Sequence, residues 1–291
     1  MKSGYIIVAD SGSTKADWVA IDSDYNRVFE TSTMGFNPFF HDKDVVQKGL
    51  SENDMLSKIA ADVMEVYFYG AGCSAEDLNR KIEDGLGLVF ENAKIKVDHD
   101  LTAAAYATAD DQPCIACILG TGSNSCYFDG EMIIDKIPAL GYILGDEGSG
   151  SYYGKQVLRA YLYNKLPRRI HDKLHDTYKL TKATIFENVY MKPNANVYLA
   201  SFAKLLSDNR NDVWVEELVS HGMLDFLSYH VCSFENYRDV PVHFVGSIAF
   251  FFEDVLRAVA ERRSVTVGKI MKQPVEGLVD YHLRQAKLSH S

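Results

Sequence analysis

Apolar and polar positions along the chain alternate in blocks that predict short strands first and helices after them. Residues 5–10, 16–21 and 27–33 read as three strands, the first two joined through a polar turn, "DSGST". The stretch from about Asp42 to Ala60 reads as helical. "EVYFYGAG" at 65–72 reads as a strand, 75–88 as a helix, "AKIKVDHD" at 93–100 as a strand, and "LTAAAYATA" as a short helix built on small residues. Strand, helix, strand, helix implies a mainly parallel sheet flanked by helices.

The pattern then restarts. "CIACILGTGSNSCYFDGEMIIDKI" again gives three strands, with a Gly-Thr-Gly-Ser turn after the first and Asp129-Gly130 after the second. A long helical region follows, about Ser149 to Tyr237, with breaks near Pro167 and Pro193. "VPVHFVGSIAFFF" runs from a strand through a Gly-Ser turn into a helix ending near Arg262. "SVTVGKIM" is a further strand and "PVEGLVDYHLRQAKL" a terminal helix. Two halves, each opening with a three-strand meander and a Gly/Ser/Thr turn, predict a duplicated fold around a central cleft.

Composition narrows the class. A chain of 291 residues that is 47% hydrophobic can bury one large core or two ordinary ones. A net charge of −10 argues against a nucleic-acid partner, which would need clustered Lys and Arg. The first apolar run, Tyr5 to Ala9, stops at Asp10, too short for a leader or a membrane span, so a cytoplasmic protein without membrane partners is expected. Five cysteines, an odd number, suit a reducing compartment. Cys114 and Cys117 form a C-x-x-C, but in an apolar strand, where positions three apart face opposite ways.

The two Gly/Ser/Thr turns carry the candidate chemistry. Backbone N–H groups with little side-chain obstruction bind anions, and hydroxyls add donors for phosphate oxygens. Asp10, an acid at a strand end, can hold Mg²⁺ through water, and the metal can neutralise a polyphosphate. Lys15 adds a positive charge or points outward. The alternative for Ser11–Thr14 is an ordinary hairpin tip. Neither turn fits the Walker or the dinucleotide glycine pattern.

"ADSGSTKADW", "GFNP", "DHDLTAAAYA", "LGTGSNS", "GDEGSGSYYG" and "FVGSIA", in that order from residue 9 to about 250, resemble the motif set of N-acetylglucosamine kinases. Those enzymes are members of the BadF/BadG/BcrA/BcrD ATPase family, within the sugar kinase, hsp70 and actin superfamily. The resemblance implies an α/β protein with a duplicated ribonuclease H-like (actin-like ATPase) fold, two lobes around a central nucleotide cleft. The N-terminal lobe would take 1–108 plus about 276–291, and the C-terminal lobe 109–275.

It also implies roles. Asp100 would be the general base that accepts the sugar hydroxyl's proton; an N-cap is the plain alternative, and Asp98 is the rival base. Ser11, Gly12, Ser13, Thr14, Lys15, Thr121 and Gly122 would hold the phosphates of ATP, with Gly246 and Ser247 over the adenosine. Asn37, Asp100, Ser123, Asn124, Gly141 and Asp146 would meet the sugar, and Asp10 would carry Mg²⁺. Ser11 departs from the more glycine-rich turn common in relatives, and "VGS" supplies one glycine where two are usual. Glu147 receives no chemistry. The expected function is ATP-dependent phosphorylation of an amino or N-acetylated hexose; the sugar and the phosphorylated position stay open. The alternative is an energising ATPase resembling the activators of 2-hydroxyacyl-CoA dehydratases. The helical segment 150–237 offers surface for a homodimer.

Overall fold

The computed structural model describes residues 4–289. They divide into two compact units, the first running to Asp110 and resuming at Pro274, the second spanning Asp111–Gln273.

The first unit is built on β1 (Tyr5–Ser11), β2 (Lys15–Ile21), β3 (Arg27–Met34), β4 (Val63–Gly70) and β5 (Lys94–His99), in the order β3-β2-β1-β4-β5. The first three form an antiparallel meander; β4 joins β1 and β5 joins β4 in parallel. Ile7, Ala9, Trp18, Val66 and Phe68 pack on Val46, Leu50, Ile82 and Leu86 of the helices Lys43–Ser51 and Glu76–Gly87. The helices Asp100–Thr108 and Val275–Ser289 pack on each other, where Gly277 lies flat on Ala107. The Ala-rich composition of residues 103–107 is what allows that approach.

The second unit repeats the scheme with β6 (Cys114–Leu119), β7 (Ser123–Phe128), β8 (Ile133–Ile134), β9 (Val242–Val245) and β10 (Val267–Met271), in the order β8-β7-β6-β9-β10. Here too a meander is extended by two parallel strands. Strand for strand the order matches the first sheet, so the duplication read from the sequence is present in the topology.

Three expectations about elements are corrected. The stretch 42–60 is two helices, because Asn53 caps a second one, Asp54–Ile59, by accepting from the N–H groups of Met55 and Leu56. The region 149–237 breaks near Pro167 and Pro193 as expected but at further places too: Gly150–Leu162, Arg168–Tyr178, Lys182–Phe186, Ala195–Ala200, Ala203–Ser207 and Val213–Phe226 are separate helices. Asn164, Lys179 and Asn194 lie at breaks in left-handed conformation, with φ of 54°, 47° and 60°, a conformation Asn favours and Lys does not. Finally, β5 ends at His99 rather than at Asp100, which opens the next helix. No helix among the described residues is long and apolar enough to cross a membrane.

His282 is packed into the first unit with its Nε2 2.9 Å from the Tyr69 hydroxyl and its ring stacked on Tyr67 at 4.0 Å. Burial, with Lys96 adding to it, lowers its pKa from 6.5 to about 4. The unfolded chain therefore takes up a proton that the folded one refuses, and stability falls as pH drops from 6.5 towards 4. Urea denaturation of wild type at pH 7.5 and at pH 4.5 should differ by roughly 2–3 kcal/mol more than that of His282→Gln, which has no such proton to bind.

Candidate functional site

At the first hairpin, paired Ser11 and Ala16 enclose the turn Gly12–Lys15, closed by the Gly12 N–H donating to the Lys15 carbonyl at 3.0 Å. The amides of Ser13 and Thr14 at its tip carry no hydrogen bond among the described residues. Gly12, Thr14 and Lys15 are exposed. Two adjacent unengaged N–H groups on an open tip form an anion cradle. The turn is braced from below: a Cβ on Gly35 would stand 2.1 Å from the Gly12 carbonyl oxygen and 2.9 Å from the Thr14 and Lys15 nitrogens. Only glycine lets the "GFNP" segment pass there.

Ser11 is fully buried, and its hydroxyl accepts from the Phe36 N–H at 2.9 Å and donates to the Phe36 carbonyl at 3.3 Å. Its side chain fastens "GFNP" to the hairpin instead of reaching outward to a ligand. Lys15 is bound to Asp17 at 2.5 Å. Asn37 is nearly buried; its Oδ1 accepts from the Phe39 N–H at 3.0 Å. The side-chain NH₂ is left without a partner among the described residues, a donor available to a hydroxyl.

Asp10 and Asp98 lie on one register line, Asp17–Asp10–Tyr69–Asp98, across four strands. Asp10 is partly exposed, yet its pKa is pushed up to about 8, chiefly by desolvation and then by the charges of Asp100 and Asp17. The Cys73 thiol is pushed up to about 12, first by burial and then by Asp100, Asp98 and Glu83. A carboxyl so placed would be eased by a cation such as Mg²⁺. Among the described residues no three His, Cys, Asp or Glu side chains converge into a metal cage, so an ion here would keep water and substrate oxygens as ligands.

Residues 98–100 divide their tasks. Asp98 accepts from the Thr102 hydroxyl at 2.9 Å and from the His99 N–H at 2.8 Å, and stands 3.8 Å from Lys96. His99, not Asp100, is the N-cap: its Nδ1 accepts from the Leu101 N–H at 3.2 Å. The same Nδ1 stands 3.2 Å from the Asp100 Oδ1, and among the described residues no other side chain is bonded to that carboxylate, which lies in the first turn of its helix.

In the second unit, the hairpin of Gly120, Thr121 and Gly122 is closed by Gly120 N–H to the Gly122 carbonyl at 3.0 Å. The amides of Thr121 and Gly122 carry no hydrogen bond among the described residues, repeating the first cradle. Its carbonyls face the other way: Gly120 accepts from the Gly150 N–H at 2.8 Å and Thr121 from the Ser151 N–H at 3.0 Å, both at the start of the helix Gly150–Leu162. Asp146, left-handed at φ 58°, accepts from the Ser123 N–H at 3.3 Å and from the Ser151 hydroxyl at 3.4 Å. Burial raises its pKa, against those two bonds and the charge of Lys155. The spacing of "GTGSNS" and "GDEGS" thus has a physical cause: the second motif holds the first.

Ser123 is nearly buried, with no partner for its hydroxyl among the described residues. The Asn124 Oδ1 accepts from the Ser125 N–H at 2.9 Å. Gly246 has φ 124°, and a Cβ there would stand 2.3 Å from the Leu119 carbonyl oxygen, so the "GSIA" turn abuts the end of β6; Ser247 opens the short helix that follows. Gly141, at φ 68°, opens a short helix to Leu144 with nothing within 4 Å of its Cβ position.

Two features escaped the sequence reading. Glu147 stands 3.5 Å from the Nε2 of His230, a buried ring stacked on Phe226 whose pKa is lowered by desolvation. A lone histidine in a helical run gave no signal of it. Gly35 was visible within "GFNP", but its packing under the hairpin was not. Cys114 is pushed up to about 12 and Cys117 upward too, both chiefly by burial, which holds them as thiols and removes the ligand form a metal would need.

Ser11→Ala would leave the buried Phe36 N–H without its acceptor. Its cost should be about 1–3 kcal/mol in a urea titration, with the transition remaining cooperative.

Among solved structures, a candidate N-acetylglucosamine kinase from Porphyromonas gingivalis matches with a TM-score of 0.90 and 38% identity, covering 97% of this chain and 99% of that one. A candidate N-acetylglucosamine kinase from Chromobacterium violaceum matches at 0.71 and 16% identity, over 97% and 99% of the two chains. A ROK-family glucokinase from Streptomyces griseus, in complex with glucose and AMPPNP, matches at 0.53 and 17% identity, over 97% and 100%. The last two share the fold alone, the two-unit α/β architecture of actin-like sugar kinases. No protein-family model and no curated protein matches the chain. With more than a third of its positions identical along nearly its whole length, the chain belongs to the sugar-kinase family of the Porphyromonas gingivalis protein.

Proposed function

We propose that this sugar kinase transfers the γ-phosphoryl group of ATP to a hydroxyl of an N-acetylated or amino hexose, N-acetylglucosamine first among them. Affiliation with the BadF/BadG/BcrA/BcrD ATPases is part of the same proposal. The observation that carries it is the division of labour at residues 98–100. Asp98 is committed to Thr102 and to the His99 N–H, which leaves Asp100, with only the His99 ring nitrogen beside it, as the less engaged carboxylate, one whose charge acts on Asp10.

In this reading the amides of Ser13 and Thr14 and those of Thr121 and Gly122 hold phosphate oxygens, with Gly12 as hinge of the first turn. Thr14 and Thr121 add hydroxyl donors. Gly246 and Ser247 form the flat seat for the adenosine. Mg²⁺, held by Asp10 through water, would neutralise charge on the β- and γ-phosphates.

The Asn37 NH₂ donates to one ring hydroxyl. Asp146 has lone pairs beyond those taken by Ser123 and Ser151 and accepts from another. Asn124 and Gly141 complete the sugar contacts. Asp100 takes the acceptor hydroxyl's proton as the oxygen attacks phosphorus; the proton ends on the carboxylate, and ADP leaves. Position 6 of the hexose is the acceptor the family resemblance favours.

The test is sugar-dependent ADP release over glucosamine, N-acetylglucosamine, N-acetylmannosamine and N-acetylmuramic acid, with the product's position read by phosphorus–proton correlation. At least one N-acetylated or amino sugar should raise turnover well above background. Asp100→Asn should lower kcat by about 10²–10⁴-fold while sugar affinity stays within a few-fold. A panel that never exceeds background overturns the substrate class; full turnover by Asp100→Asn moves the base to Asp98.

A further inference from the structure

We propose that the second unit carries an additional ligand site, a cavity of about 680 Å³ suited to a small amphipathic organic anion with an apolar body and one carboxylate, phosphate or sulfonate group. No residue of the second unit's hairpin lines it, and it stands whether or not Asp100 is the base.

The cavity is enclosed by the short helix Gly141–Leu144, the middle of the helix Gly150–Leu162, and the segment from Lys182 to Tyr190. Its volume is that of a pocket for a drug-sized molecule, and such pockets are mostly apolar with a few placed polar groups. Leu158, Leu162, Val189 and Leu199 supply the apolar walls, with Phe186 and Tyr190 at the rim, 42% and 73% exposed. Rings left in water beside a cavity are what an apolar ligand body would cover.

Charge decides the ligand's sign. The lining contains Lys155, Arg159 and Lys182 and not one acidic residue, in a chain whose net charge is −10. Lys155 donates to the Tyr142 carbonyl and so ties the Gly141–Leu144 helix to the cavity wall. Its charge is already answered in part by Asp146 and Glu147. Arg159 and Lys182 line it without a carboxylate in ion-pair reach among the described residues; Lys182 instead sits 5.4 Å from the centre of the Phe186 ring. Two unanswered cations beside aromatic rings match an anion attached to an apolar body, and match neither a neutral apolar molecule nor a bare inorganic ion.

Anilinonaphthalenesulfonate, an amphipathic anion that fluoresces when it leaves water, is the probe, with phenylnaphthylamine as its neutral counterpart and inorganic phosphate as the bodiless anion. Wild type should bind one sulfonate probe per chain, more tightly than the neutral one, with phosphate displacing it poorly. The exposed double change Arg159→Glu with Lys182→Glu should weaken the sulfonate by at least about tenfold and spare the neutral probe. Tyr190→Ala should weaken both. Sulfonate binding that ignores the charge reversal overturns the proposal. So does a face covered by a second copy of the chain, seen as a dimer by light scattering that excludes the probe.

Discussion

Main chain pressed directly on main chain holds the candidate site in shape. Gly35 passes beneath the first hairpin with no room for a methyl group, and Gly246 passes equally close to the end of β6. The second hairpin has both tip carbonyls tied to the amides of Gly150 and Ser151. Carbonyls drawn inward leave the amides facing out, and a donor whose orientation is already fixed loses little entropy when a ligand arrives. Side chains decorate these turns, but the backbone contacts define them.

The acids follow from the same construction. Strands β1, β4 and β5 end level, so any carboxylate at their C-terminal ends is crowded by its neighbours. Desolvation first, and then the charges of Asp100 and Asp17, raise the cost of ionising Asp10 and push its pKa up to about 8. A cation lowers that cost, and with it the repulsion a polyphosphate would meet. The same crowding that strains Asp10 is the setting the proposed Mg²⁺ would relieve.

Much of this was legible from residue order. The two meanders, their glycine turns and Asp10 at the end of β1 all left local signals: alternation, turn residues, an acid at a strand terminus. In the helical region the breaks at Pro167 and Pro193 were legible, whereas the one at Lys179, left-handed at φ 47°, left no signal in residue type. Ser11 was assigned to the ligand because a hydroxyl in a polar turn looks like a donor; that it points back to Phe36, a residue twenty-five positions away, is a tertiary fact. His230 was silent for the same reason. Long-range partners write nothing into their neighbours in sequence.

The repeated strand order has a further meaning. Counting two residues back from each hairpin glycine gives Asp10 in β1 but Ile118 in β6, both partly exposed. One copy of the fold carries its acid in the strand itself, while the other brings Asp146 against its turn from a later segment, through the Ser123 N–H.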